Sequence, residues 1–128
     1  MITNLLAIFI GGGLGSLARF GVTKGVLYYF KHDLPLGTFM ANLLACLVLG
    51  LALGKFEPIF SQRNFWYFFL IIGFTGGFST FSTFSFETLV LFKNGQMGFA
   101  IANVFFSVAL TVALLWYLIY KVGIAESI

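Results

Sequence analysis

The chain has 128 residues, of which 60% are hydrophobic and 9% charged, with a formal net charge of +3. Soluble domains carry roughly 25% charged residues, so a soluble fold is excluded, and a charge so small and dispersed argues against a nucleic-acid partner. The single cysteine, Cys46, rules out an internal disulfide and a thiolate metal cluster; within an apolar segment it reads as a small packing residue.

Four long apolar segments follow one another, at about residues 2–30, 36–53, 65–92 and 97–122. A bilayer core of about 30 Å takes roughly 20 helical residues. The second segment is the shortest, yet about 18 residues at 1.5 Å each still reach about 27 Å. The expected fold is therefore an all-α membrane protein, with residues 1–128 forming one transmembrane domain. The first segment has no basic residue ahead of its apolar run and holds Arg19 and Lys24 far inside, which separates it from a signal peptide. Gly11 and Gly15 give it one small-xxx-small spacing. Gly50 and Gly54 repeat that spacing in the second segment, where Gly37, Ala41 and Ala45 continue it. Such spacings let helix backbones approach closely, either within one subunit or between two.

The connections "KHDLP", "KFEPIFSQRN" and "KNGQ" are short. Pro35 and Pro58 sit where helices are expected to start or to have ended, Asn94-Gly95 is a turn signal, and His32 beside Asp33 reads as a solvated loop residue. Lys55, Arg63 and Lys121 fall on the side of both termini, whereas Lys31 and Lys93, joined by Lys24 if it lies near its helix end, fall on the other. Lysine and arginine counts set orientation, and this bias is almost nil. Two readings stand: insertion in both orientations, which would allow an antiparallel dimer, or a single orientation fixed by the insertion of the first helix.

Polar groups interrupt the oil at regular spacings. In the second segment Thr38, Asn42, Cys46 and Gly50 form one row at four-residue intervals, and Asn42 brings two amide donors into it. The third segment contains "GGFSTFSTFSFET", residues 76–88. Every backbone donor and acceptor in a bilayer core needs a partner, so glycines followed by Ser79 and Thr80 predict a helix broken near its middle, whose freed carbonyls face protein, water or a cation. An unbroken hydroxyl-rich helix is the other reading. Phe78, Phe81 and Phe84 recur every three residues and alternate with hydroxyls, among them Ser82 and Thr83. Aromatic ring edges carry positive character and attract an anion without a fixed charge that would trap it. In the last segment Asn103, Ser107 and Thr111 make a polar stripe at i, i+4 and i+8.

Each stripe alone reads as helix-helix glue. Together, donors on three helices, a row of ring edges and the buried Arg19 read as a path for a small anion. Taking such an ion out of water costs of order 20 kcal/mol in the idealised limit, so a path must replace water with many weak donors. Arg19 would concentrate anions at an entrance; it reads equally as a snorkelling residue or a partner for Glu87. An intramembrane carboxylate such as Glu87 is a functional candidate by default.

In order and spacing, "GGGLGSLARF", "GTFMANLL" and "GGFSTFSTFSFET" resemble the first-, second- and third-helix motifs of the Fluc, or CrcB-type, fluoride channels, and the resemblance covers the whole chain. It implies an antiparallel, dual-topology homodimer in the plasma or inner membrane, exporting fluoride passively through two pores, with a structural sodium ion at the dimer interface. It also implies that Phe81 and Phe84 present ring edges to the ion and that Asn42 is the pore amide. Thr38, Ser82, Thr83, Ser107 and Thr111 supply hydroxyls along the path, Arg19 and Glu87 stand at the vestibule, and the main-chain carbonyls of Gly76 and Ser79 hold sodium. Where some members have tyrosine one turn before the first serine of the last-helix track, this chain has Asn103, counted with the pathway as an amide donor. No nucleotide-binding motif that could power a pump is present, and no enzyme activity is expected. The competing readings are a small multidrug transporter, which needs a carboxylate where the first helix carries Arg19, and a structural membrane subunit, which would leave the clustered donors unexplained.

Overall fold

A computed structural model describes residues 1–30, 34–60 and 64–122. Regular structure among them is entirely helical, and four stretches are long and apolar enough to cross a membrane: Ile2–Tyr29, Leu36–Gly54, Tyr67–Lys93 and Met97–Lys121. Lys31, His32, Asp33 and Arg63, which entered the charge count or the loop reading, lie outside the described residues, as does the side chain of Lys55.

Helix α1 runs Ile2–Tyr29 and stops where Phe30 turns extended. Helix α2 runs Leu36–Phe60 and starts directly after Pro35, whose carbonyl accepts the Phe39 N–H at 3.1 Å. The expectation that α2 has ended before Pro58 is corrected: the helix continues through that proline to Phe60. Proline deletes one intrahelical hydrogen bond and strains one turn, which can kink a helix without stopping it.

The third crossing is built from three pieces. Tyr67–Phe74 winds as a π-helix, Thr75–Phe78 forms the α3 turn, and Phe81–Lys93 forms α4. Between α3 and α4, Ser79 (φ −77°, ψ 158°) and Thr80 (φ −152°, ψ 117°) are extended. Asn94 and Gly95 then turn the chain, Gly95 at φ 74° in the region that favours a residue without Cβ, and α5 runs Met97–Val122.

Glycines set how the helices meet. A Cβ at Gly11 would overlap the Phe69 carbonyl, one at Gly15 the Phe74 carbonyl, and one at Gly77 the Gly12 carbonyl. Helix α1 thus lies backbone to backbone on the π segment and α3, so the Gly11/Gly15 spacing serves packing within one chain. At Gly50 the neighbour is Leu118 of α5, with Cδ1 2.6 Å from an added Cβ. Ala7, Ala41 and Ala100 are fully buried, whereas Phe9, Trp116 and Tyr120 lie on the outside. Small residues inside and large apolar ones outside suit a bundle in lipid, where tight van der Waals packing replaces the hydrophobic drive between helices.

Candidate functional site

The two extended residues form the pivot of the site. Asn42 Nδ2 donates to the Thr80 carbonyl at 3.2 Å, and the Thr80 N–H donates to Asn42 Oδ1 at 2.7 Å. One side-chain amide of α2 therefore pairs with both backbone groups of Thr80. The Thr80 hydroxyl caps α4, accepting the Thr83 N–H at 3.2 Å, and it also donates to the Thr83 hydroxyl at 3.0 Å. In an unbroken helix the N–H groups of Thr80 and Thr83 would reach back four residues to the carbonyls of Gly76 and Ser79. Here Asn42 takes the first and the Thr80 hydroxyl takes the second. The orphan donors are satisfied by side chains, which is what a low-dielectric setting demands.

Thr80 lines two concavities. One, of about 250 Å³, is lined by Asn42, Cys46, Ser79, Thr80, Phe81, Phe84, Ser107, Val108 and Thr111. It brings together the amide of α2, the two rings of α4 and two hydroxyl positions of α5. The Phe81 and Phe84 rings are 5.7 Å apart and tilted by 40°, and Phe81 is 80% exposed. The other, of about 400 Å³, is lined by Ser16, Arg19, Phe20, Thr23, Thr38, Thr80, Thr83 and Glu87.

Arg19 and Glu87 share this second cavity, but their hydrogen bonds go to hydroxyls. Arg19 Nη2 donates to Ser16 Oγ at 3.5 Å, and Ser16 Oγ donates to the Gly77 carbonyl at 3.5 Å. Thr38 donates to Glu87 Oε1 at 2.8 Å, while Glu87 Oε2 is buried without a hydrogen-bond partner among the described residues. A neutral hydroxyl brings no opposite charge to Glu87, and burying an unpaired carboxylate charge in a low-dielectric setting is costly.

Not every sequence candidate faces the 250 Å³ cavity. Thr38 and Thr83 line the larger one, and exposed Ser82 sits 3.3 Å from the Thr80 hydroxyl. Gly76 is exposed, and an added Cβ there meets nothing within 4 Å. Asn103 lines an apolar cavity of about 330 Å³ with Pro35, Phe39 and Phe106, and donates to buried Thr88 at 2.9 Å. Sequence reasoning passed over Ser16, Thr88 and the position of Cys46 in the ring-lined cavity. For Cys46 a signal existed, since it stands one turn beyond Asn42 in the Thr38–Asn42–Cys46 row. The bonds of Ser16 and Thr88 cross between helices and had no comparable local mark.

The chain matches the family model described as "CrcB-like protein, Camphor Resistance (CrcB)" over residues 6–119. Among curated relatives, the fluoride-specific ion channel FluC of Pyrococcus abyssi is 43% identical over 115 residues, covering 90% of this chain and 92% of that protein. The protein of the same name from Serratia proteamaculans is 38% identical over 109 residues, with 85% of each chain covered. One from Escherichia coli O17:K52:H18 is 38% identical over 120 residues, covering 91% of this chain and 94% of that protein. With a family match that reaches into all four membrane-length helices, and relatives aligned over most of their own length, this chain belongs to the CrcB-like protein family.

Proposed function

We propose that the chain is a fluoride-selective, passive ion channel of the plasma membrane, a multi-pass protein exporting cytoplasmic fluoride down its electrochemical gradient. The relatives that carry the fluoride-channel name support the substrate. The observation that carries the reading in this chain is the cavity in which Asn42, Phe81, Phe84, Ser107 and Thr111 meet from three helices.

The physical chemistry of that cavity suits a small, strongly hydrated anion. Asn42 spends one amide N–H on the Thr80 carbonyl, which leaves its second for the ion. Phe81 and Phe84 offer ring edges, and Ser107 and Thr111 offer hydroxyls along the wall. Each group is a weak partner, so the ion exchanges water for donors in small steps and leaves again. The cavity that shares Thr80 with this one and holds Arg19, Thr38, Thr83 and Glu87 acts as the vestibule, with the guanidinium raising the local anion concentration. Ser82, beside the Thr80 hydroxyl, belongs to the same hydroxyl cluster. Chloride, larger and a weaker hydrogen-bond acceptor, is rejected.

The functional unit in this proposal is an antiparallel homodimer of two chains inserted in opposite orientations, with two pores. Its third helix is broken at Ser79–Thr80, and a structural sodium ion sits between the subunits. Redirection of the Thr80 and Thr83 N–H groups supports the metal: it frees main-chain carbonyls at Gly76 and Ser79, hard oxygen donors of the kind sodium takes. The ion would hold the two breaks together; the steps of conduction belong to the side chains.

The test is fluoride release from liposomes carrying the purified dimer in sodium buffer, followed with a fluoride electrode and repeated with chloride-loaded vesicles. Rapid fluoride release with little chloride release is expected. A folded, sodium-supplied dimer that releases no fluoride, or releases both anions alike, would remove the proposal. Asn42→Asp and Phe81→Ile are each expected to lower fluoride release while leaving the dimer assembled.

A further inference from the structure

Asn103 of α5 and Thr88 of α4 lie outside the ring-lined cavity, yet a run of hydrogen bonds through them joins two of its walls. The buried Thr88 hydroxyl donates to the Phe84 carbonyl at 2.8 Å and accepts from Asn103 Nδ2 at 2.9 Å. Asn103 Oδ1 receives the Ser107 hydroxyl at 3.5 Å, and Thr111 Oγ donates to the Ser107 carbonyl at 2.5 Å. The run begins on the backbone of Phe84, a ring residue of the cavity, and ends at Ser107 and Thr111 on the α5 side. Its members are unequal. The two bonds at Thr88 have ordinary strong lengths, whereas 3.5 Å at Ser107 is the outer limit for a hydrogen bond. Asn103 is therefore anchored to α4 and holds the Ser107 proton only loosely.

We infer that Asn103 is a positioning residue. Through Thr88 it fixes the separation of the Phe84 ring from the Ser107 hydroxyl, and its Oδ1 keeps the Ser107 O–H occupied until an anion in the cavity offers a better acceptor. Asn103 makes no contact with the ion itself, in keeping with its place beside an apolar cavity. The inference rests on the channel reading above and adds to it how the α5 wall is set.

The experiment compares wild type, Thr88→Val, Asn103→Leu, the double variant and Thr88→Ser, each as full-length dimer in liposomes, with initial fluoride release measured over a range of fluoride concentrations. Thr88→Val and Asn103→Leu are each expected to lower the maximal rate about three- to twentyfold, the span of one interhelical hydrogen bond in a membrane. The double variant should be no slower than the slower single one, because both remove the same link. The half-saturating fluoride concentration should stay at the wild-type value, and Thr88→Ser, which keeps the hydroxyl, should recover the rate. If Thr88→Val does not assemble, Thr88→Cys takes its place with the same expected loss. Wild-type release by Thr88→Val, multiplied losses in the double variant, or a changed half-saturation in Asn103→Leu alone would overturn the inference and make Asn103 a direct ligand or a bystander. Wild-type vesicles that release no fluoride would overturn the channel reading, and this inference with it.

Discussion

Two sides of the third crossing are built on opposite plans. Toward α1, the π segment and α3 meet glycine after glycine, and main chain touches main chain with no room for a methyl group at Gly11, Gly15 or Gly77. Toward α2 and α5, the chain spaces its helices apart with hydroxyls, an amide and two phenyl rings, and leaves a cavity of about 250 Å³. The first side gains its stability from close approach, which depends on the absence of side chains. The second depends on side chains that replace missing backbone partners, as Asn42 does for Thr80. The π segment and α3 are thus locked to α1 by main-chain contact, whereas α4 of the same crossing borders open polar space.

Breaking the solid side should have the largest effect. Gly15→Val would place branched carbons on the Phe74 carbonyl, which cannot move aside without unwinding the π segment. Loss of the folded protein is expected, seen as aggregated material in size-exclusion chromatography and not merely as a lowered flux. On the polar side, Asn42→Leu removes both hydrogen bonds to Thr80 and leaves a backbone N–H and C=O unpaired, at about 1–3 kcal/mol for each group so stranded. A thermal-unfolding midpoint several degrees lower is expected, together with the loss of fluoride release. Thr38→Val leaves Glu87 without its hydroxyl partner at 2.8 Å. A smaller loss of stability, about 1–2 kcal/mol, should appear in denaturation of the detergent-solubilised protein. Gly13→Ala sharpens the contrast on α1 itself. It lies two residues from Gly15 on an open face where an added Cβ meets nothing within 4 Å. Its unfolding midpoint should match the wild type or rise slightly, since alanine is the better helix former.

Much of the architecture was legible in the sequence. Hydropathy is a local property, so four membrane-length helices could be read from composition and length alone, and Asn94-Gly95 announced its own turn. The winding of Tyr67–Phe74 as a π-helix was not legible, because a run of apolar residues is compatible with either helix. The continuation of α2 past Pro58 escaped for a related reason: proline reports a lost hydrogen bond, and neighbouring turns decide whether the helix survives it.

The candidate site divides along the same line. Residue type and spacing placed Asn42, Phe81, Phe84, Ser107 and Thr111 on helix faces, and the fold brings those faces to one cavity. Periodicity says which residues share a face; it is silent on which faces meet. Sequence left Arg19 and Glu87 open as a pair, and the structure gives them separate hydroxyl partners in Ser16 and Thr38. It counted Asn103 with a polar stripe, and the structure turns its amide to Thr88.

What the amino-acid order determined by itself is therefore the inventory: four apolar spans, the hydroxyl-rich stretch after a glycine pair, and the helical face of each polar group. These follow from transfer free energies and the 3.6-residue repeat, which need no knowledge of distant neighbours. The tertiary structure alone decided the pairing of that inventory: Asn42 with the backbone of Thr80, Thr38 with Glu87, and α1 glycines with the π segment. Hydrogen bonds and backbone contacts act only over a few ångströms, so partners 38 or 49 residues apart are chosen by how whole helices pack and by nothing written beside them.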